Sequence, residues 1–268
     1  MVAPAARSRQ PGGVSPCRRR RWIAATALGL GLGGWVPSLA AVPALRPQDS
    51  LLTPARQADL LAELQRADGR NRPQMRRLPG PGGALTITYR RPSEDPPLSV
   101  TELRRLIKDP PTYTVEREVI LRLLQSLRRL GVTLVLGPPR RSGAMAEWEP
   151  KRAVLRIRPD APGRGTPTFA RILNHESIHV AQSCRAGRLR ALPVPLGLPR
   201  PATPALDRQL SHPVYAGASA NERIVEQEAY ANHNRLELAL TLLARHCRGL
   251  DGHTEESESG ASAGALAP

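Results

Sequence analysis

Aromatic side chains are scarce in this chain: one Phe, three Trp and four Tyr make up 3% of its 268 residues. A core with so few rings has to be filled by Leu, Ile, Val and Ala. Base stacking needs aromatic platforms, so single-stranded nucleic-acid binding by that route is excluded. No groove-reading motif is present, and no specific nucleic-acid partner is expected. Lysine is nearly absent, so Arg supplies almost all of the positive charge behind the formal net +16. A membrane-length apolar run is missing too. Trp22 to Val36 is apolar and Gly-rich, but it falls short of the roughly 20 residues that span a bilayer.

That stretch fits an export signal instead. Arg18 to Arg21 form a positive region before it, and Ser38-Leu39-Ala40 offers small residues for cleavage after it. Val42-Pro43-Ala44 is a second choice of site. Arg19-Arg20 followed by Arg21-Trp22-Ile23 loosely resembles a twin-arginine signal. Residues 1–40 are therefore expected to direct export to a periplasm, a lumen or the extracellular space, with no membrane contact beyond this segment. Residues 1–40 hold six Arg and no acidic residue, so their removal lowers the charge from +16 to +10. A product that basic favours contact with an anionic surface or partner. At the other end, residues 251–268 are acidic and then Gly/Ala/Ser-rich, and read as a disordered tail.

Between these ends, hydrophobic periodicity predicts alternating helices and strands. Residues 41–110 form an N-terminal accessory region. It holds a short helix over Thr53–Ala67, a loop over Asp68–Gly83, a strand over Ala84–Tyr89 and a helix over Ser99–Lys108 opened by a capping box from Ser99 and Glu102. Residues 111–250 form the main domain. A helix over Val115–Leu130 ends at Gly131, a strand over Val132–Leu136 follows, Pro138–Pro150 turns back, and Ala153–Ile157 is a second strand and the expected sheet edge. A small sheet followed by helices places the chain in the α+β class. Arg185–Ala218 is rich in Pro, and is either a cleft wall or a passive surface loop.

The chemistry is concentrated at Asn174-His175-Glu176-Ser177-Ile178-His179, an H-E-x-x-H pattern. Thr166-Pro167 ahead of it is a helix start, with Thr as N-cap, and no Gly or Pro interrupts Thr168–Cys184. On that helix His175 and His179 leave one face a turn apart and can share one metal ion. Ile172 shares this face, so both rings are expected to point inward. Glu176 can reach a water on such a metal and take its proton, as a hydrolytic zinc site requires.

A third ligand is sought downstream. Ser219 and Glu222 form another capping box, opening a helix expected to run to about Arg245. Its early carboxylates Glu226 and Glu228 are both candidates. Glu228 shares a face with Ile224, Val225 and Asn232 and is the more inward of the two.

H-E-x-x-H on one helix with E-x-E-A on a later one resembles the Glu-liganded zincin metallopeptidases, over about residues 166–235. The resemblance implies a zincin-like fold, with a small mixed sheet packed on the H-E-x-x-H helix and a C-terminal ligand helix. It implies Zn2+ held by His175, His179 and Glu226, with Glu228 as the alternative third ligand. It implies Glu176 as general base and a peptide or protein as substrate. Gln182, three residues after the second His, also occurs in several small members. Members often carry Asp four residues after the ligand to hold a ligand histidine; Tyr230 stands there here, and Asn232 is the candidate to replace it. His212, Tyr215, Tyr230 and His233 are available to steady an oxyanion.

Cys184 and Cys247 form the pair left after export, and an oxidising compartment favours their disulfide. An unbroken helix would carry Cys247 about 30 Å beyond Glu226, so the pair closes only if that helix bends, with Asn232-His233-Asn234 as the candidate place, or recrosses the first; otherwise the thiols stay free. Two functions follow: an exported zinc metallopeptidase, or a catalytically inactive zincin-like binding protein with a structural metal or none and a basic surface for an anionic partner.

Overall fold

A computed structural model describes residues 45–80, 82–90 and 97–248. The export segment and the acidic tail lie outside the described residues. The fold is mixed α+β. In chain order it contains β1 (Ser50–Leu51), α1 (Gln57–Asn71), β2 (Gln74–Arg77), β3 (Leu85–Thr88), α2 (Val100–Lys108), α3 (Thr114–Arg129), β4 (Thr133–Leu136), β5 (Ala146–Glu149), β6 (Val154–Ile157), α4 (Thr166–Arg185), α5 (Pro204–Leu210), α6 (Ala220–Asn232) and α7 (Leu238–His246).

The main sheet has the order β1-β4-β6-β5, with β4 and β6 parallel and the outer pairs antiparallel. β2 and β3 pair separately as an antiparallel ribbon. Alternation along the strands decides which side chains meet the helices. Leu134, Leu155 and Trp148 stand in one row across β4, β6 and β5 and enter the core with Phe169 of α4. Arg156 projects from the opposite face. It is fully buried and ion-paired with Asp49 and Glu149, which tie the chain before β1 to the far side of the sheet. Gly137, just after β4, leaves room for this cluster, since a Cβ there would run into Asp49 Oδ1.

The pattern-based expectations miss several elements. The stretch expected as a loop after Asp68 continues α1 to Asn71 and then forms β2, whose four residues are all exposed. A strand with no buried face has no apolar alternation to betray it. The turn expected over Pro138–Pro150 contains β5. The outer position expected for the Ala153–Ile157 segment therefore belongs to β5, and β6 is interior, buried at all four residues.

α4 is the centre of the molecule. It is buried at every residue from Leu173 to Cys184, with α1, α3, α6, α7 and β5 packed around it. Its start differs from expectation: Gly165 (φ 94°) is the N-cap and Thr166 lies inside the helix. The capping acceptor comes from elsewhere. Asp68 of α1 accepts from Thr166 N and Thr166 Oγ1, both at 2.7 Å, and pairs with Arg117 of α3 at 3.2 Å. A carboxylate beside the amides that lack an intrahelical partner at a helix start is favoured by both hydrogen bonding and the helix dipole.

The helix expected from Ser219 to about Arg245 is two helices. α6 ends at Asn232, and α7 starts at Leu238 without any Gly or Pro between. Asn174, fully buried on α4, stabilises the reversal: its Nδ2 donates to His233 O at 2.8 Å and Arg235 O at 3.1 Å, and its Oδ1 accepts from Ala239 N at 3.3 Å. The bend brings Cys247 to Cys184, where they form a disulfide with Cα atoms 5.0 Å apart.

Candidate metal centre

Two turns of α4 and one of α6 meet at the base of a cavity of about 1170 Å³. His175 and His179 both point inward, at 7% and 6% exposure. Their Nε2 atoms are 3.0 Å apart, and Glu226 Oε2 lies 3.3 Å from the first and 3.4 Å from the second. All three atoms are acceptors in their metal-ligating forms. Such lone pairs meet at this distance only with a proton or a cation among them. A tetrahedral ion bound at 2.0–2.2 Å holds its ligand atoms about 3.3–3.6 Å apart, and the three observed separations lie near that. Among the described residues this is the group of His, Cys, Asp and Glu side chains that converges closely enough to hold a metal.

Without a metal, burial works against charging His179, but the Glu226 and Glu176 carboxylates and hydrogen bonds to Glu226 and Gln182 raise its pKa to about 9. Burial would likewise push Glu226 up, yet the two imidazoles hold it well below the usual carboxylate range. Glu176 is different. It is buried at the cavity wall, and desolvation pushes its carboxyl up despite the nearby imidazoles. A carboxyl raised in this way is suited to taking up a proton and passing it on.

The surroundings of the three donors are specific. His179 Nδ1 meets Gln182 Oε1 at 2.7 Å. The second oxygen of Glu226 faces Arg141 Nη1 at 3.7 Å, and Arg141 also reaches Glu222 at 3.3 Å. Tyr215 donates to Glu226 Oε2 at 3.3 Å and lies 2.8 Å from the Tyr230 hydroxyl. Burial, then the Glu226 charge, raises the Tyr215 phenol well above its ordinary value. The Tyr230 ring packs on His175 with centroids 4.4 Å apart, and His233 stands at 6.3 Å. His212 is further out, its Nδ1 accepting from Val214 N at 3.3 Å.

Of the two carboxylates left open by the sequence, the structure brings Glu226 to the histidines. Glu228 is the more buried, as its helical face predicts, but it turns to the backbone of Leu196, Gly197 and Leu198. Asn232 does not back a histidine; its Nδ2 donates to Pro199 O at 2.9 Å and Glu228 O at 2.8 Å. The Pro-rich stretch before α6 is a wall of the cleft, since Leu192, Leu206, Gln209 and Tyr215 all line the cavity. Nothing local marks Asn174, Asp68 or Arg141 as contributors, because each acts on a residue distant in sequence. The S-x-x-E signal at Ser219 did mark the start of the helix that carries Glu226.

Compared with protein-family models, curated proteins and solved structures, the chain shows no significant match to any.

Proposed function

We propose that this protein is an exported zinc-dependent metallopeptidase with a zincin-like arrangement. The observation that carries this reading is the meeting of His175 Nε2, His179 Nε2 and Glu226 Oε2 within 3.4 Å, with Glu176 beside them at the base of a cavity. Two imidazoles and one carboxylate suit zinc and leave a fourth position for solvent or substrate. When bound, the ion supplies Lewis-acid activation of a water and of a carbonyl.

The chain's own residues have separable tasks. His175, His179 and Glu226 hold the metal. Glu176 takes a proton from water and delivers it to the leaving amine. Tyr215 occupies one lone pair of Glu226 Oε2 and helps fix its orientation. β5 is the outer strand on the cavity side, and Ala146, Glu147 and Trp148 line the cavity. An extended peptide can pair with such an edge and reach the centre.

The test is metal content and peptide turnover measured on the same preparations. Wild type is expected to hold about one zinc per chain and to cleave peptides. Glu176→Gln should keep the zinc and lose about 10²- to 10⁴-fold in turnover. Full turnover by that variant would sink the general-base assignment. A zinc-loaded wild type that cleaves no peptide but binds an anionic partner in a salt-sensitive way would replace the peptidase with a binding protein.

A further inference from the structure

Glu228 lies outside the metal cluster, yet it is 1% exposed and fully occupied. Its carboxylate accepts from Leu196 N and Gly197 N at 2.7 Å, and from Leu198 N and Gln182 Nε2 at 3.0 Å. A buried carboxylate is an expensive group to keep unless donors satisfy it. Four do so here.

The partner on α4 matters most. Gln182 is fully buried, and its Nε2 faces Glu228 Oε2 and, at 3.2 Å, Val225 O. Both are acceptors only. The amide orientation is thereby settled, with the NH2 toward α6 and Oε1 toward His179. An imidazole facing an amide oxygen must donate, so His179 carries a hydrogen on Nδ1, and in its neutral, metal-ligating form the Nε2 lone pair is the one turned to the centre. The same carboxylate secures the segment Leu196–Leu198. That segment continues from Leu192 and Pro193 at the cavity, and is also held by Val194 N to Gln182 O at 3.3 Å.

We infer that Glu228 is a positioning residue for His179: acting through Gln182, it holds the imidazole in the tautomer and orientation a metal ligand needs, and it latches the adjoining cleft segment with the same carboxylate. The inference rests on His175, His179 and Glu226 being metal ligands. The physical basis is polarisation along the chain, since a carboxylate on the amide NH2 makes the amide oxygen a better acceptor.

The experiment pairs zinc affinity, measured by competition with a chromophoric chelator, with amide hydrogen exchange at residues 196–198 in the metal-free protein. Gln182→Ala should weaken zinc binding up to about 100-fold while leaving those amides protected. Glu228→Ala, which touches neither histidine, should weaken it about 10-fold and expose them. The loss in Glu228→Gln should be largely recovered in the double exchange Q182E/E228Q, which restores both an acceptor for His179 Nδ1 and a donor across the pair. The two glutamine-for-glutamate variants carry the test if Glu228→Ala does not fold. Exposed loop amides with unchanged zinc affinity in the Glu228 variants would leave a structural latch only and overturn the inference. A folded wild type that takes up no zinc would overturn both the inference and the metal reading; a wild type that binds zinc no better than Glu228→Ala would overturn the inference alone.

Discussion

His175 and His179 lie one turn apart on the same helix, yet their rear nitrogens meet different surroundings. His179 Nδ1 donates into a chain of hydrogen bonds through Gln182 to Glu228. His175 Nδ1 is buried and has no hydrogen-bond partner among the described residues; the Tyr230 ring lies against this imidazole instead. One ring is oriented by hydrogen bonds, the other by packing. The contrast shows that a pair of histidines identical in motif can be preorganised to different degrees. Hydrogen bonds set a tautomer, whereas van der Waals contact restrains only a plane.

The largest effect expected on either side of this contrast is removal of the rings themselves. His175→Ala and His179→Ala should each reduce zinc from about one per chain to near none, by elemental analysis of folded protein. Retention of a full equivalent in either would show that the motif is not the site. Next comes the anchoring of the His179 end of α4. The Cys184–Cys247 disulfide closes a separation of 63 residues, and Cys184→Ser with Cys247→Ser should cost about 4 kcal/mol in the chain-entropy description, read from the denaturant midpoint. An unchanged zinc affinity in the folded fraction would assign the bridge to the fold alone.

At the opposite end of the helix, Asp68→Ala removes the remote cap and leaves Thr166 N and Arg117 without their acceptor. About 2 kcal/mol of stability should be lost, and a loss below a few tenths would mean that water replaces the carboxylate fully. The smallest effect addresses the contrast itself. Tyr230→Asp replaces the ring packed on His175 with a hydrogen-bond acceptor, and zinc affinity should rise about tenfold while Gln182→Ala lowers it. If Tyr230→Asp weakens zinc binding, packing by the ring is worth more to His175 than a hydrogen bond.

Much of this was legible in the sequence, and what was legible shares a property. The H-E-x-x-H helix, the helix over Thr114–Arg129 with Leu123, Leu124 and Leu127 on its buried side, and the capping boxes at Ser99 and Ser219 all express interactions between residues within four positions of each other. The short β-rich runs of β3, β4 and β6 were legible for the same reason. β2 was not, because exposure on both faces removes the alternation. β5 was not, because its Ala146-Glu147-Trp148-Glu149 sits in a Pro- and Arg-rich stretch that reads as a turn.

By itself the sequence determined that two histidines and a glutamate share one helix, that a second helix carries two more carboxylates, and that Leu, Ile and Val outnumber aromatics in the core. Local periodicity and capping suffice for these. Tertiary structure alone decided which carboxylate turns to the histidines, that the second helix breaks at all and which strand forms the edge. Glu228 is drawn away by three backbone N–H groups of a segment about thirty residues earlier, and Asn174 bends the chain after α6 from 59 and 61 residues away. Such hydrogen bonds depend on what the fold brings together, and no spacing along the chain encodes them.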